Sequence, residues 1–391
     1  MNILFCLGID MNKPGPSVHL LNDIFRCAVE RGHKLFIIEK DTSENHNNLL
    51  VHENITYVFI KEKPLNKNNF LLRYIENITY VLKCAKEFEK LNGIEMVFVQ
   101  SNTVGGLYSY YLRKYLNVPV LYNAQDIFPD DVLYVKKWDK RNIVYRMLES
   151  IQKPIYNYAG KIITISEDMK KTLIEHGVQK EKIEVVYNWS YDTKKIEIDS
   201  CKNEFSEKYG LDNSFKVLYA GNVGKKQNID VIIEAAKKTK SNKGIQFIIV
   251  GDGDADCYKK EVEDMKLNVR FFPLQPSSMA ESVYSSADVI IITLKKDIIK
   301  TALPSKTATC LRLDKPIIFC IGKESIFGSA IDEYDNTFVI DSDNSDEMVN
   351  IINELTTKKE MQNSAYSFFI KNMSNKDNPC IYVQLMEQMR K

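Results

Sequence analysis

The strongest constraint on the fold is a regular alternation of short aliphatic runs with longer segments of helical period. In the first half, strand-like runs occur at 3–8, 34–39, 55–60, 96–100, 118–122, 162–165 and 183–187. Segments with apolar residues at helical spacing occur at 18–31, 69–91, 105–115 and 167–176. Such alternation is typical of parallel strands joined by crossover helices. The first half therefore predicts a doubly wound α/β domain.

The pattern stops at 190–214, a polar segment with a short helix predicted near 202–209, and then restarts. Further strands are predicted at 217–220, 246–250, 269–272, 289–293 and 317–321, with helices between them and a helical tail from 348. We therefore expect an N-terminal Rossmann-like domain at 1–190, a linker at 191–214, a second Rossmann-like domain at 215–360 and a terminal helical segment at 361–391. Ligands bind beyond the carboxyl ends of such strands, so two facing sheets predict a central cleft for two substrates.

Charge and composition exclude several classes of protein. The chain has 53 Lys and Arg against 52 Asp and Glu, a net charge of +1, which disfavours a nucleic-acid-binding surface over the whole protein. Eight scattered cysteines and five histidines, without a Cys-x-x-Cys pair, disfavour a metal site and are typical of buried thiols in a reducing compartment. Neither a leader nor a spanning run is apparent. We expect a cytoplasmic enzyme.

Three glycine- or lysine-bearing turns follow strands of the second half. They are the segment from Ala220 to Gln227, the Gly251-Asp252-Gly253 turn, and Leu303-Pro304-Ser305-Lys306-Thr307. Glycines let a backbone approach a ligand, and a lysine at a helix start is better explained by a bound anion than by the helix dipole. Ordinary turns and a solvated lysine account for the same residues.

The first half offers two further candidates. Gly15-Pro16-Ser17 lies between a strand and a helix, where it suits an anion. The stretch from Asn123 to Asp131 clusters three carboxylates, which bind sugar hydroxyls or act as a base. The alternative is that Asp130 or Asp131 caps the next helix, and Ser166 also looks like a helix start.

These segments together resemble the GT-B retaining glycosyltransferases of the group 1, or family 4, class. Six stretches match the family in order: AQDIFPDD from Ala124, ITISEDMKKTLIEHGV from Ile163, VVYNW from Val185, AGNVGKKQNIDVIIEAAKK from Ala220, IIVGDG from Ile248 and LPSKTATCLRLDKPII from Leu303. The Pro-Ser-Lys stretch resembles the subgroup associated with cell-surface polysaccharide synthesis, such as capsule and O-antigen.

The resemblance implies a division of labour. The second domain would bind a nucleotide-diphosphate sugar, the first a glycan or polyprenyl-linked acceptor, and the last helix would pack back on the first domain. No metal would be needed, because cations and helix N-terminal amides stabilise the diphosphate. The donor nucleotide is expected to be UDP, because UDP is the commonest nucleotide among such donors. The sugar transferred would be a hexose or an N-acetylhexosamine.

Several positions depart from the family pattern. Asn222 and Gln227 stand where the family has an arginine and a lysine, and Lys225, Lys226 and Lys306 are candidates to supply that charge. Thr301 and Thr309 stand in place of two glutamates. Asp314 replaces a glycine, and Gln125 replaces a histidine. These departures leave the donor contacts and the activity itself open.

The resulting site hypothesis has three parts. Asp126, Lys306 and Lys225 are predicted to be catalytic, with retention at the anomeric carbon. The acceptor is predicted to contact Gln125, Asn102 and Ser166. The donor is predicted to contact Gly15, Gly221, Asn222, Gly224, Lys226, Gly251, Asp252, Gly253, Phe272, Pro304, Ser305 and Thr309.

Two other functions remain open: a sugar-nucleotide epimerase, and a non-catalytic sugar-nucleotide-binding subunit of a glycan assembly complex. A peripheral contact with the anionic inner face of the plasma membrane is also considered. Segment 61–73 carries four cations beside three apolar residues, although a core-facing helix with a solvated basic flank is the preferred explanation of them: Lys61, Lys63, Lys67, Arg73, Phe70, Leu71 and Leu72.

Overall fold

The chain folds into two compact units. The computed structural model describes residues 1–13, 15, 17–42, 46, 49–62, 70–200, 202–357 and 363–390. Unit 1 comprises Met1–Tyr191 and Asn375–Lys391, and unit 2 comprises Asp192–Ser374. Nearly all of the predicted linker at 191–214 thus belongs to unit 2. The predicted terminal segment at 361–391 is divided between the units.

Unit 1 is built on a seven-stranded parallel sheet. Its strands are β1 (Asn2–Cys6), β2 (Lys34–Asp41), β3 (Ile55–Lys61), β4 (Met96–Gln100), β5 (Val120–Ala124), β6 (Lys161–Thr164) and β7 (Ile183–Val185). Its helices are α1 (Val18–Glu30), α2 (Phe70–Phe88), α3 (Gly105–Tyr115), α4 (Asp130–Lys136), α5 (Ile143–Tyr158) and α6 (Glu167–Glu175). The order β3-β2-β1-β4-β5-β6-β7 reverses direction between β1 and β4. The doubly wound arrangement agrees with the sequence prediction.

The sequence did not predict α4 and α5 as a pair of helices. Helix α5 contains Pro154 and exposes Ile143 and Met147 on its outer side. Its buried residues Tyr145, Leu148, Gln152 and Ile155 nevertheless lie at helical spacing, so Pro154, which disfavours a helix interior, is the only local feature against a helix. Only the start of α4 at Asp130 was considered, as a helix cap.

Unit 2 is built on a six-stranded parallel sheet. Its strands are β8 (Phe215–Ala220), β9 (Ile245–Val250), β10 (Val269–Phe272), β11 (Val289–Thr293), β12 (Ile317–Cys320) and β13 (Thr337–Ile340). Its helices are α7 (Glu204–Tyr209), α8 (Asp230–Lys238), α9 (Asp256–Met265), α10 (Ala280–Ser285), α11 (Thr307–Arg312), α12 (Ile326–Ile331), α13 (Ser345–Leu355) and α14 (Tyr366–Asn372). The order β10-β9-β8-β11-β12-β13 reverses between β8 and β11. The loops after these two strands therefore meet at a switch point, where open α/β sheets bind ligands.

The predicted continuous helix from 348 to the end was wrong. Helix α13 ends at Leu355, and α14 is followed by a separate helix, α15 (Asn378–Met389). Asn336 accounts for part of the break, because its side-chain oxygen accepts the amide hydrogen of Ala365 (2.8 Å) before α14 begins. Strand β13 was also not predicted, since its four residues lie between polar segments.

Helix α15 is fixed to the body of unit 1. Tyr382 and Met386 are buried in the same apolar core as β1 and α1. A disulfide joins Cys27 of α1 to Cys380 of α15. The expectation that the cysteines are all reduced, buried thiols was therefore wrong for this pair, which is 353 residues apart in sequence. Pairing at such a distance leaves no local sequence signal.

Candidate functional site

Two loops at the carboxyl edge of the unit 2 sheet form one continuous backbone structure. They follow β8 and β9. The amide of Gly221 donates to the carbonyl of Val250 (2.9 Å), and that of Val223 donates to the carbonyl of Asp252 (2.8 Å). In the other direction, the amide of Asp254 donates to the carbonyl of Val223 (2.9 Å). The two loops therefore hold each other in place at the end of the central strands.

The two loops approach each other so closely that only glycine fits at two positions of the β9 loop. Gly251 has φ +157°, and a Cβ atom there would lie 1.8 Å from the carbonyl oxygen of Gly221. Gly253 has φ +128°, and its Cβ would lie 2.2 Å from the carbonyl oxygen of Val223. These glycines therefore admit the neighbouring loop, while their predicted contact with the donor stays a prediction.

Lys306 projects into this junction from the turn before α11. Its Nζ atom donates to the carbonyl oxygen of Ala220 (2.9 Å) and lies 3.8 Å from the ring centroid of Tyr219. Gly221 leaves room for it, since a Cβ there would lie 3.3 Å from Nζ. In the described part of the chain, no carboxylate pairs with Lys306. The ammonium is therefore held by a carbonyl and an aromatic face.

Burial removes part of the water that would otherwise solvate this ammonium, so a nearby anion would stabilise its charged form. Desolvation lowers the pKa of Lys306 to about 8, against a smaller opposing effect of Cys310 and Cys320. An anion bound beside Nζ would favour the protonated form and restore the ordinary pKa. The hydroxyl of Tyr219 donates to the carbonyl of Asn222 (2.7 Å), so the ring under the lysine also orders the loop.

The other predicted cations lie in the loop itself. Lys225 is exposed and Lys226 is half-buried. The carbonyl of Lys226 accepts the amide hydrogen of Lys295 (2.8 Å), which brings the loop after β11 alongside. Lys295 and Lys296 are exposed there. Neither lysine was predicted as a site residue, although two lysines directly after a predicted strand are a usable signal.

The predicted donor contacts differ in what they do. Asn222 and Ser305 are exposed, and Gly224, Pro304 and Thr309 are half-buried. Asp252 is exposed, and its carboxylate accepts the amide hydrogen of Leu274 (3.3 Å). Gln227, half-buried, donates its amide hydrogen to Gly224 (3.2 Å).

Phe272 serves the core of unit 2. Its buried ring packs on Phe205 and Tyr209, with centroids 5.4 and 4.5 Å away. Its carbonyl oxygen accepts the amide hydrogen of Gly251 (3.0 Å). The position therefore orients the glycine turn through its backbone, and the predicted donor contact at Phe272 stays a prediction about the backbone that follows it.

Two departures from the family pattern have visible structural reasons. The hydroxyl of Thr301 is buried and donates to the carbonyl of Ile298 (3.0 Å), so it serves its own turn and not a ribose. Asp314 has φ +57°, a left-handed conformation that glycine or aspartate adopts most readily. Its carboxylate pairs with Lys195 and accepts from Ser364, which gives the aspartate a function that glycine lacks.

At the carboxyl edge of the unit 1 sheet, four amide side chains are hydrogen-bonded in series. Asn123 donates to Gln100 (2.9 Å), Gln125 donates to Asn123 (3.1 Å), and Asn188 donates to Gln125 (2.8 Å). They come from the ends of β4, β5 and β7. The substitution of Gln125 for the family's histidine therefore completes an amide series suited to hydroxyl groups.

The remaining residues predicted in unit 1 have separate positions. Asp126 is exposed, and Ser101 donates to its carbonyl oxygen (3.2 Å). Gly15 is half-buried before α1, and Pro16 lies outside the described residues. Asn102 accepts the amide hydrogen of Val104 (3.0 Å) at the start of α3.

Ser166 is better explained as a helix cap than as an acceptor contact. Its side chain is fully buried, and its hydroxyl oxygen accepts the amide hydrogen of Met169 (3.2 Å). A buried cap stabilises α6 by satisfying an amide that has no partner within the helix. The sequence predicted Ser166 both as a helix start and as an acceptor contact, and the structure favours the first.

A buried ionic cluster, also missed from sequence, holds the start of α4. Nε2 of His176 lies 2.9 Å from Oδ2 of Asp130, and Nδ1 lies 3.0 Å from Oε1 of Glu149. Tyr145 donates to Asp130 (3.3 Å). Burial lowers the pKa of His176, but the hydrogen bonds and charges of the two carboxylates outweigh it, and the pKa is raised. The cluster joins α4, α5 and α6.

Glu39 is a second group without a sequence signal, because it lies inside a predicted strand. It is almost fully buried and accepts the amide hydrogen of Met11 (2.8 Å). Burial raises the pKa of Glu39 to about 7, with smaller contributions from Asp10 and Asp41. A carboxyl that titrates near neutrality thus lies at the end of β2.

Over the residues described, no group of histidine, cysteine and carboxylate side chains is arranged to hold a metal ion. Within the same residues, none of the helices combines the length and apolarity needed to cross a bilayer. Of the segment 61–73, residues 63–69 lie outside the described ranges, while Lys61, Leu71 and Arg73 are exposed.

The comparisons with known proteins identify both units. Residues 18–189 match the model for Glycosyltransferase Family 4, and residues 202–368 match the model for Glycosyl transferases group 1. The chain carries the domains of the group 1 and family 4 glycosyltransferases. The predicted glycosyltransferase family and two-domain fold are thereby confirmed, whereas retention and the capsule or O-antigen subgroup stay predictions.

Curated glycosyltransferases are similar over part of their length. The probable glycosyltransferase WbjE of Pseudomonas aeruginosa is 26% identical over 57% of this chain and 56% of its own. The putative colanic acid biosynthesis glycosyl transferase WcaI of Escherichia coli is 29% identical over 38% of each chain. The chain thus spans about half of WbjE and less of WcaI.

Solved glycosyltransferase structures share the fold over nearly the whole chain. HepE of Anabaena in complex with UDP gives a TM-score of 0.73 at 15% identity, covering 99% of this chain and 100% of HepE. WaaG, a glycosyltransferase involved in lipopolysaccharide biosynthesis, gives 0.69 at 13% identity, covering 98% of this chain and 99% of WaaG. At these identities the likeness concerns the fold alone.

The contact between the two loops predicts a large effect of one methyl group. Gly251→Ala should reduce the free energy of unfolding of this glycosyltransferase by about 3 kcal/mol, because the Cβ would collide with the carbonyl of Gly221. Gly210→Ala is the matched control: it shares a positive φ (+56°) but has no atom within 4 Å of a Cβ. It should cost about 1 kcal/mol. Equal losses in urea unfolding would contradict the interpretation.

The buried cluster predicts a stability difference that depends on pH. Because the folded-state pKa of His176 is raised, its stabilisation is full below pH 6.5 and is lost as pH rises through the raised value. His176→Gln should therefore cost about 3 kcal/mol at pH 6 and less above pH 9.

Unfolding of both proteins between pH 5.5 and 9.5 measures this difference. The exposed His52 provides the control variant His52→Gln, which should differ little from wild type at any pH. A cost of His176→Gln that does not change with pH would refute the role given to the cluster.

Proposed function

We propose that the chain is a retaining glycosyltransferase that moves a sugar from a nucleotide diphosphate, most simply UDP, to a glycan or lipid-linked acceptor. The observation that carries this proposal is Lys306: a half-buried ammonium beside the carbonyl of Ala220, at the switch point of a parallel sheet. Such a group suits an anion whose charge grows as it leaves.

We assign the donor to the carboxyl edge of unit 2. Lys306 would face the β-phosphate, with Lys225, Lys226 and Lys295 on the neighbouring loops. The amides of Gly221 and Val223 are bonded to the β9 loop, so those of Asn222 and Gly224 would bind phosphate oxygens, and the backbone beyond Phe272 would hold the base. UDP is favoured because HepE, a structural neighbour, was solved with it. Lysine charge makes a metal ion unnecessary in this proposal, so chelators should leave turnover unchanged.

We assign the acceptor to the carboxyl edge of unit 1. Asp126 and the amide series ending at Gln125 would orient its hydroxyl. The acceptor oxygen forms a bond to the anomeric carbon on the face from which the diphosphate departs, the carbon–oxygen bond to the diphosphate breaks, and the hydroxyl proton passes to the departing diphosphate oxygen. This sequence needs no protein nucleophile.

Cell-surface polysaccharide is the favoured product class, with the activity on the cytoplasmic side of the membrane. Two observations support it: the similarity to WcaI, whose name refers to colanic acid, and the fold shared with WaaG, which is involved in lipopolysaccharide biosynthesis. Transfer of a hexose or N-acetylhexosamine is part of this proposal.

A second candidate is a subunit that binds the nucleotide sugar without transferring it. The buried hydroxyl of Thr301 favours it, because that side chain is committed to Ile298 and does not replace a ribose-binding carboxylate. Such a subunit would bind UDP through Lys306 and release no product.

A panel of UDP-, GDP- and TDP-sugars with a polyprenyl-linked acceptor separates these functions. We expect transfer from a UDP-sugar, with the anomeric configuration retained in the product by NMR, and a turnover lower by about 10² in Lys306→Ala. Binding without product would support the non-catalytic subunit, epimer formation would support an epimerase, and near-normal turnover of Lys306→Ala would overturn the assignment.

The lowered pKa of Lys306 predicts how UDP affinity changes with pH. If only the ammonium binds the diphosphate, affinity should fall about tenfold between pH 7 and pH 9, since the group deprotonates near pH 8. Lys306→Arg keeps its charge over this range and should give a flat profile. Calorimetry measures both, and a wild-type affinity independent of pH would contradict the phosphate role.

A further inference from the structure

The first turns of α5 expose aliphatic side chains on one side. The exposed fractions are 85% for Ile143, 45% for Val144 and 53% for Met147. On the opposite side, Tyr145 and Leu148 are buried. The outward side of a surface helix is ordinarily polar, so a group of exposed aliphatic residues on a well-anchored helix marks an interaction surface.

Cations surround these residues. Lys136, Lys137, Lys140, Arg141 and Arg146 are all exposed. None of them forms an ion pair within the part of the chain that the structure describes. Asp139 is the single acidic residue between 136 and 147, all of which are described, and its carboxylate accepts the amide hydrogen of Arg141 (2.7 Å). We call these five cations and three aliphatic residues the basic-apolar edge.

The edge is held rigidly. The side chain of Asn142 accepts the amide hydrogens of Val144 (2.9 Å) and Tyr145 (3.2 Å), which fixes the first turn of α5. The cluster of His176, Asp130 and Glu149 joins α5 to the start of α4. Exposure of Ile143 is therefore a property of a well-bonded turn.

The edge also lies where an acceptor would arrive. Helix α4 starts six residues after β5 ends, so the connection to α5 leaves from the carboxyl edge of the unit 1 sheet. Helix α3 also packs on α5, but its Arg113 lies over the ring of Tyr158 (5.1 Å), at the opposite end of α5 from Ile143, so α3 is not part of the edge.

We propose that the basic-apolar edge docks on an anionic lipid bilayer and brings the carboxyl edge of unit 1 to the membrane surface. Aliphatic side chains enter the boundary between headgroups and acyl chains while lysine and arginine contact anionic headgroups. A single-stranded nucleic acid would instead call for a series of exposed aromatic stacking platforms, whereas the segment 136–147 offers only the half-buried Trp138 besides the buried Tyr145. Docking is independent of the proposed chemistry; only the statement that the acceptor is lipid-linked rests on the proposed function.

Vesicle co-sedimentation of the full chain tests docking without any activity. Binding should rise with the phosphatidylglycerol content of phosphatidylcholine vesicles and weaken between 0.1 and 0.5 M salt. The triple variant Lys140→Glu, Arg141→Glu, Arg146→Glu should bind at least 10²-fold more weakly, since each cation near an anionic surface contributes about fivefold. Ile143→Ser with Met147→Ser should weaken binding about tenfold.

A matched triple variant removes the effect of net charge. Lys240→Glu, Lys243→Glu, Lys260→Glu changes the charge equally at exposed positions of unit 2 and should bind vesicles as wild type does. Calorimetry with UDP and thermal unfolding verify that every variant is folded. The proposal would be overturned if both triple variants lost vesicle binding equally, or if binding did not depend on the phosphatidylglycerol content.

Two further results would also overturn it. One is loss of binding in Leu71→Ser with Leu72→Ser and not in the edge variants, which would assign docking to α2. The other is binding to a single-stranded oligonucleotide, abolished in the edge variant, without vesicle binding.

Once docking is established, a transfer assay tests its consequence. The triple variant of the edge should transfer less sugar to an acceptor embedded in vesicles, while its transfer to the detergent-solubilised acceptor should be unchanged. Failure of both transfers with docking intact in wild type would count against the proposed function alone.

Discussion

Parallel pairing governs where chemistry is placed in this protein. In a parallel sheet all strands end at one edge, and each crossover begins there, so the loops that carry polar residues are collected side by side. In unit 2 this brings the loops after β8, β9 and β11 together, and Lys306 enters among them. In unit 1 it aligns four amide side chains from three strands. Both arrangements follow from strand direction and order.

The contact between the β8 and β9 loops shows how a shared edge becomes a rigid site. Bonds from Gly221 and Val223 to the neighbouring loop leave no space for a Cβ at Gly251 or Gly253. The ammonium of Lys306 then rests on a carbonyl whose position is fixed by this contact. A partly desolvated cation of this kind gains stabilisation from a phosphate without a large rearrangement.

The periodicity of the sequence was enough to predict most of the fold, but only part of the candidate site. The predicted strands of both units are present because buried parallel strands are nearly continuous apolar runs, which are readable locally. Helix α5 was missed although its buried residues lie at helical spacing, and Pro154 is the only residue within it that argues against a helix. Lys306 was identified from a charge at an unfavourable helix position, whereas His176 and Glu39 depend on partners distant in sequence. Ser166 was predicted both as a helix start and as an acceptor contact, and its burial favours the first.

Unit 1 is completed by the last seventeen residues of the chain, Asn375–Lys391, whereas unit 2 is continuous. During synthesis, therefore, unit 2 has all of its residues outside the ribosome before unit 1 does. Until α15 emerges, the apolar surface of β1 and α1 that it covers stays open. The Cys27–Cys380 bond marks the end of that interval, since it forms only when α1 and α15 are both outside the ribosome.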